Sequence, residues 1–375
     1  MSYLINPYLT SPPSMPAGDF IDFSAYGSEL FESPYGAVGY GHGITAFRTV
    51  EGGSTLIHVY EYSGGGAPGW TYTNSVDLST PGPGTTYLPV GKFLSTGPIS
   101  VADADPSIVV GGVYDSNLDD VGENSALAFI RKVSGVWQMV ECLVVAGYPA
   151  SCDRLSASSN GTYVAYHGAA GDLRIARRTG GHYTANQTIS FSKGSTWDIM
   201  MEPGSSKLFV GTGTGSGGVR VYTRSGNTFS LTTTIAKPAA DSVADFGKRI
   251  ACNQGAVSLR VIAGSAGVYL YNNSNTLIGT FSIPGNAANE IAASSSADTV
   301  YVAVAGEGIR IYVNSGSWVD SYTTLTPYAG FSPGSGRSYG DLGFSAADFY
   351  GDGEPYLLLA SGGDQGIGVV YTPPP

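Results

Sequence analysis

Short runs in which apolar residues alternate with polar ones recur along the chain, joined by glycine-rich turns, and many of the runs end in tyrosine. The clearest unit is Lys207-Leu208-Phe209-Val210, a turn over residues 211–218, then Val219-Arg220-Val221-Tyr222. Leu259-Arg260-Val261-Ile262 followed by Val268-Tyr269-Leu270-Tyr271 repeats it, as do residues 299–304 followed by Ile309-Arg310-Ile311-Tyr312. Further matches to the second run lie at 57–60, 127–130, 173–176 and 368–371. Alternation bounded by glycine predicts half-buried strands, and runs joined by a short turn predict hairpins. The seven runs end at positions 60, 130, 176, 222, 271, 312 and 371, spaced by 70, 46, 46, 49, 41 and 59 residues.

A second marker follows the runs. A glycine-containing turn leads to an aromatic residue that opens another strand, as in Ser134-Gly135-Val136-Trp137, Gly180-Gly181-His182-Tyr183, Ser225-Gly226-Asn227-Thr228-Phe229 and Ser315-Gly316-Ser317-Trp318. Trp70 has this place in the first copy, and Leu277 takes it in the fifth. These hairpins lead into the outermost strand of each unit, where the aromatic is expected to cover the unit's edge. Four-stranded units repeating every roughly 40–50 residues are the pattern of propeller blades. The expected fold is therefore all-β, a seven-bladed β-propeller of four-stranded blades. The seventh copy has no outer strand before Thr372-Pro373-Pro374-Pro375, and an unpaired sheet edge is a liability. Asp19-Phe20-Ile21-Asp22-Phe23 alternates ahead of the first blade, so residues 19–23 are expected to supply the missing strand and close the ring. The Pro-rich stretch 7–16 cannot pair inside a sheet. Residues 1–18 are thus expected to form an extended arm and residues 19–375 a single propeller domain.

Composition fits this architecture and narrows the function. The chain of 375 residues holds 54 Gly, 21 Pro and 25 Tyr, and only 13% of it is charged, against about 25% charged and about 7% Gly in an average domain. Gly, Ser, Thr and Asn in place of Lys, Glu and Arg favour strands and turns over helices. Net charge is −11, opposite to the basic surface that releases counterions from nucleic acid, so no nucleic-acid partner is expected. Apolar runs fall short of a membrane span, so no membrane insertion is expected. The opening Met1-Ser2-Tyr3-Leu4-Ile5-Asn6-Pro7-Tyr8 has neither a basic nor an apolar leader region, and Sec export is not expected. Cys142 and Cys152 are near enough in sequence to pair, but three cysteines without a leader favour buried thiols.

The hairpins with an upstream Phe-Gly resemble the FG-GAP repeats of integrin-α-type seven-bladed propellers. The fifth copy carries the resemblance best, with Asp245-Phe246-Gly247, then Asn253, then Val261-Ile262-Ala263-Gly264-Ser265 where the family has Gly-Ala-Pro. Tyr35-Gly36 stands in the Phe-Gly place of the first copy, and Gly343-Phe344 is the reversed pair in the seventh. The resemblance covers about residues 24–371 at the level of blades and implies a Ca²⁺ loop between first and second strands, spaced like D-x-N-x-D-G-x-x-D. Asp348 and Asp352 match two ligand positions, whereas Tyr350 and Tyr356 occupy two others. Ca²⁺ takes six to eight oxygens, so this pair would bind it weakly, and the alternative is a turn held by Asp side chains and glycines. No other cofactor is expected.

A second acidic stretch, Asp115-Ser116-Asn117-Leu118-Asp119-Asp120-Val121-Gly122-Glu123, opens like an EF-hand loop. Asp120 replaces the required Gly, however, and Ala126 stands where the bidentate Glu belongs. On this long loop between the second and third strands the plain reading is a solvated loop, and the alternatives are a weak cation site or a partner contact made by Asp115, Asn117 and Asp119. Residues 211–218 look like a phosphate loop but lead into a strand and lack Gly-Lys-Ser/Thr. Ser190-Phe191-Ser192-Lys193-Gly194-Ser195-Thr196-Trp197 echoes the S-x-D-x-G-x-T-W box of sialidase propellers with Ser192 in the Asp place. His42, His58, His167 and His182 form no metal-ligand spacing.

A propeller fold hosts many activities, so function rests on the surface and the arm. The expected function is a non-enzymatic structural or adhesion protein of a tailed-phage particle, serving as a capsid decoration, tail or host-attachment component and located in the virion. The 1–18 arm looks like the docking arms of phage virion proteins, and its Tyr3 and Tyr8 are the candidates for binding neighbouring virion proteins. Tyr-rich loops beside small polar residues suit an adhesive surface for a host glycan or protein receptor. A symmetric particle would present the chain as a homo-oligomer. The alternatives are a cell-surface or secreted FG-GAP-type adhesin or lectin, and an enzyme acting on polysaccharides at the mouth of the central channel.

Overall fold

The computed structural model describes residues 20–22, 36–38, 44–51, 54–62, 70–102, 106–119, 124–145, 152, 154–167, 172–190, 198–212, 218–241, 245–253, 259–283, 288–294, 297–304, 308–325, 343–347, 356–361 and 367–371. Among them the regular structure consists of seven four-stranded antiparallel sheets, each a meander in chain order apart from one strand of the last. Sheet 1 contains Gly36–Val38, Ile44–Glu51, Ser54–Tyr62 and Trp70–Asp77. Sheet 2 contains Lys92–Ala102, Ser107–Asp115, Asn124–Val133 and Val136–Val145. Sheet 3 contains Arg154–Ala157, Tyr163–His167, Asp172–Thr179 and His182–Ser190. Sheet 4 contains Ile199–Met201, Lys207–Gly211, Val219–Ser225 and Thr228–Ile235. Sheet 5 contains Arg249–Cys252, Arg260–Ala263, Gly267–Tyr271 and Leu277–Ser282. Sheet 6 contains Ala288–Ala293, Thr299–Val304, Gly308–Val313 and Thr323–Leu325.

Sheet 7 takes Gly343–Ala347, Tyr356–Ser361 and Ile367–Tyr371 as its first three strands and Phe20–Asp22 as its fourth. Phe20 lies opposite Val369, Ile21 opposite Gly368 and Asp22 opposite Ile367. The strand anticipated at residues 19–23 therefore does pair with the seventh copy. The arm at residues 1–18 lies outside the described residues.

The first strand of each sheet lies beside the first strand of the next, and that of sheet 7 lies beside that of sheet 1. Neighbouring sheets stack face to face, so the apolar core is divided into layers between them. One layer joins Ile57 and Val59 of sheet 1 to Phe93, Ile108 and Val110 of sheet 2. Others join Phe129 to Val164 and Tyr183, Ile175 to Leu208 and Phe229, Phe209 to Ile262 and Tyr269, and Val261 to Ile291 and Val302. Strands inside these layers are covered on both faces, which is why Thr299–Val304 and Tyr163–His167 are buried along their whole length. Fully burying one such Val, Leu or Ile side chain contributes about 1.5–3 kcal/mol. The fourth strands face outward, as in Thr228–Ile235, where only Phe229 and Ile235 are buried.

Of the runs read as ending in tyrosine, those of sheets 5 and 7 do end at Tyr271 and Tyr371, whereas those of sheets 1, 4 and 6 continue past it. In sheets 1 to 5 the pairing of third and fourth strands slips at one recurring place, between Val59 and Tyr60, Phe129 and Ile130, Ile175 and Ala176, Val221 and Tyr222, and Leu270 and Tyr271. The slip is a β-bulge, one extra residue on the fourth strand that increases twist. The tyrosines at 60, 222 and 271 thus mark bulges, and in sheets 1 and 4 the strand runs on to Tyr62 and Ser225.

Candidate functional site

The residues singled out in the sequence do not converge on one place. Tyr3, Tyr8, Asp348 and Asp352 lie outside the described residues. Asp115 is fully buried, and its Oδ1 accepts the main-chain N–H of Asn117 at 3.1 Å and of Leu118 at 2.8 Å. It closes an Asx turn that lets Leu118 adopt a φ of 62°. Among the described residues of this loop, Asn117, Leu118 and Asp119 are exposed to solvent. Turns between first and second strands elsewhere are closed the same way: Ser158 Oγ accepts from Tyr163 N, and Ser294 Oγ from Thr299 N, each at 3.0 Å. Among the described residues no group of three or more His, Cys, Asp or Glu is placed to hold a metal ion. Cys142, Cys152 and Cys252 are buried free thiols, and burial pushes those of Cys142 and Cys252 up to about 12.

The Phe-Gly segment of sheet 5 performs a packing role. Phe246 is fully buried and meets Tyr269 edge-on, with ring centroids 5.7 Å apart. Gly247 has a φ of 89° and lies so close to Gly211 that a Cβ on Gly211 would fall 2.1 Å from the Gly247 carbonyl oxygen. Sheets 4 and 5 approach closely there because neither residue has a side chain. Upstream, Asp241 Oδ1 accepts from the main chain and hydroxyl of Ser265 and from Ala266 N. A Cβ on Gly264 would strike the Asp241 carboxylate. The Gly264-Ser265 corner is thereby fastened to the Asp241 side chain.

The aromatics opening the fourth strands were expected to cover the edge of their own unit. They instead grip the preceding sheet. Tyr183 of sheet 3 stacks on Phe129 of sheet 2 with centroids 3.9 Å apart, and Phe229 of sheet 4 meets Tyr163 of sheet 3 edge-on at 5.4 Å. Trp137 of sheet 2 donates Nε1–H to Glu61 Oε1 of sheet 1 at 2.8 Å, and Trp318 abuts Phe281 of sheet 5 at 5.9 Å. A residue at the bulge of the preceding fourth strand completes each grip. Asn74 clasps the Trp137 main chain at N and O, Gln187 clasps that of Phe229, and Glu141 accepts from Tyr183 N at 2.6 Å. Gly279 has this position in sheet 5, and a Cβ there would lie 2.7 Å from Trp318 Cβ. Between sheets 4 and 5, where Leu277 replaces the aromatic, the fully buried Arg260 takes over. Its guanidinium lies 4.8 Å from the Phe209 ring centroid, 3.3 Å from Glu202 Oε1 and 2.9 Å from Asn273 Oδ1.

Charged side chains of four consecutive sheets converge at the beginnings of their first strands. Arg154 opens the first strand of sheet 3, Asp198 immediately precedes that of sheet 4, Arg249 opens that of sheet 5, and Glu290 stands near the start of that of sheet 6. Arg154 Nε lies 3.8 Å from Asp198 Oδ1, and Asp198 Oδ2 accepts the Ile250 N–H at 3.0 Å. Arg249 Nε donates to Glu290 Oε2 at 3.0 Å and its Nη1 donates to Lys248 O at 2.8 Å. Side-chain exposures of 30, 18, 30 and 24% leave Arg154, Asp198, Arg249 and Glu290 partly buried. Burial pushes the Glu290 carboxyl up to about 7, opposed by Arg249 and reinforced by Asp198. Burial likewise holds the buried Lys248 ammonium below its usual range, opposed by Asp245. The group is two guanidinium–carboxylate pairs, joined through the bond from Ile250 N to Asp198. Sequence reasoning missed it, although its signal is present: in a charge-poor chain, a charged residue recurs at the same point of four successive repeats.

These features define an all-β protein of four-stranded antiparallel sheets arranged as in propeller folds. A WD40-like propeller chain in the crystal structure of the mitotic checkpoint complex is similar over 97% of this chain and 96% of its own, with a TM-score of 0.59 at 10% identity. At that identity the likeness concerns the fold. No family model matches the chain, and no curated protein matches it in sequence.

Proposed function

We propose that this chain is a seven-bladed β-propeller that works by binding, as a non-enzymatic structural or adhesion component of a tailed-phage particle. The ring reading is supported by the neighbouring first strands and by Phe20–Asp22 in the last sheet. The proposed kinship with FG-GAP blades rests on the sequence placement of Asp245-Phe246-Gly247 and Gly264-Ser265.

The observation that carries the functional reading is the outer rim. Three consecutive fourth strands, His182–Ser190, Thr228–Ile235 and Leu277–Ser282, contain no Asp, Glu, Lys or Arg. Their exposed residues are chiefly Thr184, Asn186, Thr188, Thr232, Thr233, Thr234, Leu231 and Ile278. Such a rim docks against a neighbour without stripping water from charges, a cost that Lys- and Glu-rich surfaces meet on burial. The clasped sheets make this a rigid surface, and rigidity reduces the entropy lost on association. The arm with Tyr3 and Tyr8 anchors the chain to neighbouring virion proteins, the loop of Asn117 and Asp119 adds a contact, and copies related by the particle's symmetry complete the assembly.

Deleting residues 1–16 tests the anchoring. The truncated protein keeps its β-sheet circular dichroism and melting temperature but no longer co-sediments with particles assembled in its presence. Normal incorporation of the truncated protein overturns the docking role of the arm.

A further inference from the structure

We infer that Lys207 and Asn273 join in a side-chain amide bond, formed by the folded chain itself with loss of one ammonia, that ties sheet 4 to sheet 5. The inference is independent of the proposed function. Lys207 opens the second strand of sheet 4, and Asn273 lies in the turn between the third and fourth strands of sheet 5. Lys207 Nζ stands 3.0 Å from Asn273 Oδ1. The turn holds that amide in place: Asn272 Oδ1 accepts from Ser274 N and Thr276 N at 3.0 Å each, and Arg260 Nη1 donates to Asn272 O. Leu277 stands here instead of the aromatic that grips at neighbouring junctions, so the covalent tie falls where that grip is missing.

The reaction needs an unprotonated amine, a polarised carbonyl and a proton carrier, and the cluster supplies each. Arg260 Nη2 donates to the same Oδ1 at 2.9 Å and keeps its proton at any ordinary pH. Two cations on one amide oxygen repel, and the lysine is the one that can yield its proton. Burial, and then the Arg260 charge, hold the Lys207 ammonium below its usual range, opposed by Glu202 and Cys252. Glu202 accepts from Arg260 Nη2 through Oε1 at 3.3 Å, and its main-chain N–H donates to Lys207 O at 2.9 Å. Asn273 is exposed, so its amide is free to turn. Its Cγ lies one C=O length, about 1.2 Å, behind Oδ1, and turning brings it to the roughly 3–3.5 Å of a near-attack contact with Nζ. The Nζ lone pair then forms the bond to Cγ, and the charge gathering on Oδ1 falls against Arg260. The Cγ–Nδ2 bond breaks as Glu202 carries one proton from Nζ to Nδ2, which leaves as ammonia. Nothing is oxidised or reduced, and no co-reactant enters.

The test is intact-mass spectrometry of the purified full chain after incubation at mildly alkaline pH, followed by trypsin digestion. The expected mass is lighter than that of the sequence by one ammonia. Residues 194–220 should appear joined to 261–310 in one branched peptide, because trypsin no longer cuts after Lys207. Lys207→Arg and Asn273→Ala should each keep the full mass and the β-sheet circular dichroism of wild type. Glu202→Gln should form the bond about a hundredfold more slowly, as loss of a proton carrier does. A wild-type chain of full mass that releases the free 208–220 peptide overturns the inference. So does ammonia loss without the branched peptide, which marks an asparagine cyclised on its own main chain. Undiminished bond formation in Glu202→Gln overturns the proton transfer through that residue.

Discussion

The Gln187 side chain holds the main chain of Phe229 at both of its polar groups: Oε1 accepts the Phe229 N–H at 2.8 Å, and Nε2 donates to the Phe229 carbonyl at 2.8 Å. Gln187 belongs to the fourth strand of sheet 3 and Phe229 to that of sheet 4. Outer strands of adjacent sheets, which share no ladder, are thus stitched by a side chain that copies one. Asn74 does the same for Trp137 at 3.0 and 2.7 Å.

Gln187→Ala is expected to cost about 1–3 kcal/mol, the worth of two partly buried hydrogen bonds. Gln187→Glu keeps the acceptor and loses the donor, and should fall between. Thr233, at the corresponding bulge of sheet 4, is exposed, and Thr233→Ala should stay within about 0.5 kcal/mol of wild type. Urea unfolding at constant m-value reads all three. An effect of Thr233→Ala as large as that of Gln187→Ala would contradict the stitch.

Arg260 is expected to be the most sensitive charged residue of the junction between sheets 4 and 5. Arg260→Ala removes one donor each from Glu202, Asn272 O and Asn273 and opens a cavity beside Phe209. Loss of one partner from a buried pair costs about 3–5 kcal/mol. Arg260→Met, which refills the volume, should recover part of it. Thermal denaturation with both variants checks the order, and equal melting temperatures for wild type and Arg260→Ala would refute it.

Glu290 imposes a sign on the pH dependence of stability. Its carboxyl in the folded chain titrates near 7, above the ordinary 4.5. The folded state therefore binds more protons than the unfolded one between these values, and stability falls as pH rises through that window. Below it both states are protonated and the contribution is fully present. Glu290→Gln should flatten this slope, so that the difference between variant and wild type shifts in the variant's favour from pH 4.5 to pH 7.5. Parallel stability curves for the two proteins would contradict the placement of Glu290.

Pairing of the chain's two ends predicts a specific cross-link. Phe20 and Val369 are direct partners across antiparallel strands, a separation within reach of a disulfide at a non-hydrogen-bonded pair. Phe20→Cys combined with Val369→Cys should oxidise to a monomeric species with raised melting temperature. The other cysteines are buried thiols, so the new pair should react first. Failure to form the bond under mild oxidant would argue against the pairing.

The seven repeats were legible because each strand pair is local: an alternating run, a glycine turn and a second run fall within one stretch, and Gly180-Gly181 at φ 62° and 92° makes the hairpin turn that its sequence demands. The strand at 20–22 was legible from the gap it fills. The bulges were not, because Tyr60 or Tyr222 within an alternating run gives no sign that its partner strand gains a residue. The grips of Trp137, Tyr183 and Phe229 were assigned to the wrong sheet, since periodicity orders residues within a blade and carries nothing about the face a neighbour presents. Arg154, Asp198, Arg249 and Glu290 were invisible for the same reason. They stand a repeat apart in sequence and meet only when the first strands gather side by side.

The most direct test of the central claim is quantitative mass spectrometry of phage particles banded in a density gradient from a culture expressing the full chain, followed by cryo-electron microscopy of the same fraction. The predicted result is a constant ratio of this chain to the major capsid protein across the band, with a seven-lobed ring resolved at a fixed position on the particle. A chain that stays in the lysate and is absent from the banded particles would contradict it.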